Sequence, residues 1–193
     1  MAINTTTITK NIGYADIYVD CVVPADRTPM ALAPGGLPVG GRYIGATQGE
    51  ALFRYTPTIE GVEIEQVTGM VAPHMVSEEV EITFTMMELD YQNMLLAIGQ
   101  GSGTTAGGVN LVTFGGNRNV PNRCVCLVAK SANEDTYDVA TIYQAINTAG
   151  VQRSYQRGQA RGIAVTFRAV QVHTRSVGDR AAQLIEDAVP AAA

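Results

Sequence analysis

Cysteine, histidine and paired carboxylates are the residues here whose types could do chemistry, and their spacing does not serve it. Cys124 and Cys126 stand at i, i+2 in RCVCLVAK, a stretch that reads as a strand. Side chains at that spacing share a face roughly 6.5 to 7 Å apart, at or beyond the reach of a disulfide. The cysteine count is three, an odd number. The opening MAINTTTITK has no basic and then apolar leader pattern, so a reducing compartment is expected. His74 and His173 match no zinc spacing. The paired cysteines are therefore expected to be small buried hydrophobes. His74, after Pro73 in VAPHM, is expected on the surface in a turn, and His173 at the end of a strand.

Covalent catalysis by Ser with His would carry a local frame such as G-x-S-x-G, and none occurs. Glu78 and Glu79 are adjacent, so on a strand they point to opposite faces and cannot work as a pair. The glycine-rich GQGSGTTAGG, Gly99 to Gly108, invites a phosphate-cradle reading. A P-loop needs Lys and then Ser or Thr after its last Gly, and a dinucleotide site needs a strand before and a helix after. Here a helical pattern precedes the loop, a strand pattern follows it, and the nearest Lys is Lys130. The segment is read as a flexible connection. No catalytic, cofactor-binding or metal-ligating residue is assigned, and neither enzymatic activity nor a cofactor is expected.

A hydrophobic content of 46% suffices for a core in a single domain. No run approaches the roughly 18 apolar residues of a membrane helix, so no membrane insertion is expected and the protein is read as one used in solution. The net charge of −5 is unevenly spread. Tyr55 to Asn117 has no Lys or Arg but holds Glu60, Glu63, Glu65, Glu78, Glu79, Glu81, Glu88 and Asp90. Arg118 to Arg180 reverses the balance, with almost every cation an Arg, the side chain favoured in interface ion pairs. The segregation is either two solvated faces of one domain or an acidic surface that meets a basic surface on the next subunit. The candidate acids are Glu63, Glu65, Glu79 and Glu81, and the candidate interface bases are Arg153, Arg157, Arg161 and Arg168. Arg153, Arg157 and Arg161 with Tyr155 could touch a phosphate backbone. Net acidity and few aromatics argue for a subunit contact instead.

These side chains must be placed by strands. In EEVEITFTMMELDYQNMLLAIG, Val80, Ile82, Phe84 and Met86 alternate with Glu79, Glu81, Thr83 and Thr85. The period then changes: Tyr91, Met94, Leu95 and Ile98 predict a helix over about 90–98, capped by Asp90 and ended by Gly99. Further strands are predicted at 17–23, 42–47, 51–55, 59–67, 110–114, 123–130, 137–146 and 161–173. Pro24 to Gly41 is too rich in Pro and Gly for regular structure, and such a segment could order on a neighbour. Ala181, Leu184, Ile185, Ala188 and Val189 predict a short C-terminal helix behind Asp179. The expected organisation is an N-terminal arm, strand and loop over 1–41, a β-rich domain over 42–173, and an extension over 174–193.

The order of three segments carries a resemblance. GATQGEALFRYTPTIEGVEIEQ, then EEVEITFTMMELDYQNMLLAIG, then TIYQAINTAGVQRSYQRGQARGIAVTFRAVQ resembles the tail tube (major tail) proteins of long-tailed bacteriophages, over roughly Gly40 to Val172. The Pro/Gly-rich insertion after Val23 and the tail after Val177 depart from a minimal tube subunit. The resemblance implies a mainly β subunit, a β-sandwich or barrel-like tail tube fold with one flanking helix. It implies hexameric rings stacked into a tube that encloses the tape measure protein and conducts double-stranded DNA. The partners it implies are other copies, the tape measure protein, and tail terminator and baseplate or tail-tip proteins. The location it implies is the virion tail, after assembly in the host cytoplasm. Glu63/Glu65 and Glu79/Glu81 are then expected to face either the lumen, where acidic walls let DNA slide, or an interface opposite Arg. The inner tube of a secretion or contractile injection apparatus is the related alternative. A small β-barrel binding protein or enzyme is the alternative from another class.

Overall fold

The computed structural model describes residues 15–63, 70–131, 135–153 and 162–191. They are mainly β. The strands are β1 (Ala15–Val19), β2 (Leu32–Ala33), β3 (Leu37–Pro38), β4 (Arg42–Tyr43), β5 (Thr47–Glu63) and β6 (Met70–Met86). After helix α1 (Tyr91–Ile98) come β7 (Ser102–Ala106), β8 (Val109–Thr113), β9 (Arg123–Lys130), β10 (Tyr137–Asn147), β11 (Ile163–Ala169) and β12 (Ala182–Ala188). One antiparallel sheet runs β4-β1-β9-β10-β11-β6-β5, with β12 also on β10.

β10 divides this sheet into two leaves. One edge of β10 pairs with β9, while the other is shared by β12, over residues 137–142, and by β11, over 145–147. The change of partner falls where the β9 register shifts, between Ile142 and Ala145, as a bulge bends a strand. Ile17, Val19, Val125 and Ile142 from one leaf then meet Ile82, Phe84, Val165 and Phe167 from the other in a single buried cluster. The rings of Phe84 and Phe167 stack with centroids 5.9 Å apart. The alternation at 80–86 places Val80, Ile82, Phe84 and Met86 inside, as expected.

The other face of β1, β9 and β10 is buried too, under the Pro/Gly-rich segment. Met30 and Leu32 cover Tyr18, Cys124, Cys126, Val128 and Val139. That segment is largely irregular, as expected, apart from the small β2–β3 hairpin. Asp20 adopts φ 61, which breaks the strand alternation and turns Cys21 onto the face of Cys124 and Cys126. All three cysteines are free and buried. Cys124 and Cys126 are thus the small buried side chains anticipated.

Helix α1 begins and ends where the sequence indicates. The Asp90 carboxylate accepts from the Asn93 N–H at 2.6 Å, and Gly99, at φ 70, donates its N–H to the Leu95 carbonyl. The buried face differs from the expected one: Asn93, Met94, Leu96 and Ala97 are inside. Tyr91, Leu95 and Ile98 are half-buried because β7 and β8 lie over them. The connection expected to be flexible, 99–108, therefore contains a strand of a hairpin. Gly101 and Gly103 serve close approach, since a Cβ at Gly103 would collide with Tyr91 and Leu95.

Two further expectations are corrected. The C-terminal segment is not a helix but strand β12, with Val139 opposite Ile185 and Thr141 opposite Gln183. Eight or so residues have little helical stability alone, and the open edge of β10 supplies backbone partners. The predicted strands 42–47, 51–55 and 59–67 are replaced by two-residue β4 and the 17-residue β5, paired with an equally long β6. Gly49 and Pro57 do not interrupt β5. A bulge between Gln48 and Leu52 takes up Gly49. Pro57 lies on an edge strand, where a missing N–H leaves no ladder partner unsatisfied. β1 and β12, from the expected arm and extension, both belong to the main sheet.

Candidate functional site

The outward face of β5, β6 and β11 gathers part of the predicted charge. Glu81 on β6 stands in register with Arg54 on β5 and with Arg168 on β11. The Arg168 Nε lies 2.9 Å from Glu79 Oε1, and the Thr83 and Thr166 hydroxyls are 3.3 Å apart. The acidic and basic stretches of the sequence are thus partly paired inside one chain. Both side chains of the Arg168–Glu79 pair are open to solvent at 51% and 35%, so the pair contributes about 0–1 kcal/mol.

Arg153 is not brought to this row. Glu63 closes β5. Glu65, Arg157 and Arg161 lie outside the described residues. Arg153 is exposed beside α1, on a groove lined by Ile98, Val112 and Phe114. His74 is exposed within β6 rather than in a turn, and His173 is exposed after β11.

A second feature is the overhang of β5 and β6. β6 pairs with β11 only from Glu81 to Met86, while β5 pairs with β6 back to Met70. The hairpin therefore extends beyond the sheet. Residues 54–60 and 72–78 are exposed throughout, among them Tyr55, Ile59, Met75 and Val76. The other edge of β5 has no strand partner among the described residues. At the root of the hairpin, a groove of about 490 Å³ opens between β5, β6 and the 177–184 segment. Its apolar walls include Phe53, Val80 and Leu184, and within it Glu78 accepts from Tyr55 at 3.3 Å and from Gln171 at 3.0 Å.

Sequence reasoning missed a buried polar clasp. The Arg175 guanidinium donates to the Asp179 carboxylate at 2.7 Å, the Asp179 carbonyl at 2.8 Å, and the carbonyls of Pro24 and Ala25 at 2.8 and 3.2 Å. It also lies 3.9 Å from the centre of the Tyr143 ring, whose hydroxyl donates to Asp179. The Arg27 N–H donates to the other Asp179 oxygen at 2.6 Å. Burial pushes the Asp179 carboxyl up, but the donors Tyr143, Arg27 and Arg175 outweigh it and hold it down at about 2. Burial and the adjacent carboxylate push the Tyr143 hydroxyl well above its usual range. Each group is committed to a structural partner, so the clasp ties residues 24–28 and 175–179 to β10. The sequence signal was Arg175 and Asp179 at i, i+4, of which the helix reading used only Asp179, as the residue standing before the expected helix.

Among the described residues no three or more His, Cys, Asp or Glu side chains are grouped to hold a metal. No described helix is long and apolar enough to cross a membrane. No protein-family model and no curated protein matches the sequence.

Proposed function

We propose that this chain is a structural subunit of a bacteriophage tail tube, a self-assembling ring protein whose stacked hexamers enclose the tape measure protein and then conduct DNA. The observation that carries the reading is the 17-residue edge strand β5 with its exposed, partly apolar overhang. A long open edge is an aggregation hazard in a lone molecule and an asset in a ring, where the next copy covers it. A ring uses heterologous contacts, one patch against a different patch. This chain offers different patches in the hairpin overhang, the groove and the β7–β8 side. The order of strand, helix and late strand that gave the resemblance supports the same reading.

In this account the Glu79/Glu81 face of β5, β6 and β11 lines the channel. Arg54 and Arg168 beside Glu81 make the wall mixed in charge rather than strongly acidic. A hydrophilic wall without a cationic excess gives DNA little to bind. A map of the assembled tube with Glu79 and Glu81 buried against a neighbour's Arg would rule out that placement. Tail terminator and baseplate or tail-tip proteins would then close the two ends, and the protein would reside in the virion. An inner tube of an injection apparatus shares this geometry and differs in its cargo.

The groove favours the second reading, a monomeric β-rich protein that takes a small apolar ligand. Negative-stain electron microscopy of the purified chain separates the two: rings or tubes support the first, and monomers at every concentration support the second.

A further inference from the structure

We propose that Cys21 and Cys124 are a latent disulfide pair, a modification site at which a small-molecule disulfide locks the end of β1 onto β9. The inference is independent of the assembly reading. Strand register alone would keep the two cysteines apart. Tyr18 and Val19 stand opposite Cys126 and Val125, so a regular strand would set Asp20 against Cys124 and turn Cys21 away. Asp20 instead sits at φ 61. Its N–H donates to the Cys124 carbonyl at 2.8 Å, while its carboxylate swings out to Arg123, also at 2.8 Å. Cys21 takes the place that the Asp20 side chain leaves. A Cβ at Gly41 would lie 2.9 Å from the Cys21 sulfur and 3.2 Å from the Tyr18 Cβ, which puts that sulfur on the Tyr18 side of the strand.

Of the two facing thiols, Cys124 is the one placed to bridge. Cys126 is completely buried, and its sulfur lies 3.2 Å from the Thr141 hydroxyl on β10. Cys124 and Cys126, two residues apart on one strand, are too far from each other. Directly opposite residues on paired strands have Cβ atoms about 4.5–5.5 Å apart, and a disulfide needs about 3.5–4.5 Å. Closure therefore asks for a movement of about 1 Å, at the irregular end of β1 rather than inside the ladder. While reduced, the three sulfurs form an apolar plug. Hydrogen bonds with Cys124 and Cys126, together with burial, push the Cys21 thiol above its usual range, so it stays neutral. Met30 and Leu32 pack over the plug, and a reagent enters when that segment lifts.

The co-reactant is a small-molecule disulfide, with oxidised glutathione as the probe. One cysteine, as its thiolate, attacks a glutathione sulfur and expels a glutathione thiolate, leaving a mixed disulfide. The other cysteine attacks the protein sulfur of that bond and expels the second glutathione. The protein loses two protons and two electrons, and one oxidised glutathione becomes two glutathione thiols. The bridge closes a loop of about 100 residues, long enough to constrain the unfolded chain strongly.

The full-length protein is equilibrated with oxidised glutathione, quenched in acid, unfolded and alkylated. The expected product is lighter by two hydrogens before alkylation, keeps Cys126 as its alkylatable thiol, and gives a peptide map that joins Cys21 to Cys124. Its Tm is expected to rise by roughly 4–16 °C and to return on reduction. Cys126→Ser is expected to keep the bridge, and Cys21→Ser and Cys124→Ser to lose it. Three alkylatable thiols after treatment, under conditions that oxidise the urea-unfolded chain, would overturn the proposal. So would a map that joins Cys126 to either partner, glutathione retained on Cys21 or Cys124, or a bridge that leaves Tm unchanged. The wild-type map decides the question even where a serine variant fails to fold.

Discussion

Removal of the Asp179 carboxylate is the sharpest perturbation of the fold. Arg175 and Asp179 have side chains only 8% and 12% exposed, and Asp179→Ala leaves the guanidinium charged, buried and short of its anion. The same change strips an acceptor from the Tyr143 hydroxyl and from the Arg27 N–H. Loss of one partner from a buried pair costs about 3–5 kcal/mol. For a chain of this size each kcal/mol lowers Tm by about 2–4 °C, so a fall of roughly 6–20 °C is expected. Thermal and urea unfolding followed by circular dichroism measure it. Asp179→Asn keeps the shape and one acceptor and should lose less. Because much of the cost is the stranded cation, Arg175→Met combined with Asp179→Ala should recover part of the loss, as a double-mutant cycle reports. A loss below about 1 kcal/mol for Asp179→Ala, or strict additivity in the cycle, would refute the clasp as a structural unit.

Acid should weaken the same clasp. The Asp179 carboxyl is lowered from 3.8 to about 2, so the unfolded chain takes up its proton first. That contribution, about 2 kcal/mol, is fully present above pH 4 and is lost as pH falls through about 2, and Asp179→Asn should flatten the fall in stability over that window. Phe84→Ala removes a ring that is 1% exposed and stacked on Phe167, and should cost about 3–5 kcal/mol in urea unfolding. Gly45→Ala should cost about 1–3 kcal/mol, because Gly45 sits at φ 86 and an added Cβ would meet the Glu88 carboxylate; a melt unchanged from wild type would contradict that. Arg168→Ala breaks only the exposed pair with Glu79 and should change stability by less than about 1 kcal/mol.

What could be read from the sequence was what local physics controls. The alternation at Val80, Ile82, Phe84 and Met86 sets a face directly, and Asp90 and Gly99 mark the helix ends through their own hydrogen bonds. Cys124 and Cys126 followed from their place on β9. The misses depend on distant partners. β12 is a strand because the N-terminal half of β10 has an open edge there, a fact the apolar spacing of Leu184 and Ile185 does not contain. Pro57 and Gly49 punctuate a sequence, yet an edge strand with bulges accommodates both. At the candidate surface, the Glu79/Glu81 face was legible. The placement of Arg54 and Arg168 beside it required the register of three strands. The clasp was illegible because Arg175, Asp179, Tyr143 and residues 24–27 meet only after the chain folds back over some 150 residues.

Electron microscopy of the purified full-length protein across a range of concentrations bears most directly on its role as an assembly subunit. Closed rings of about six copies, stacked into hollow tubes at higher concentration, are the predicted result. A protein that stays monomeric at every concentration, with the edge of β5 and the groove open to solvent, would contradict it.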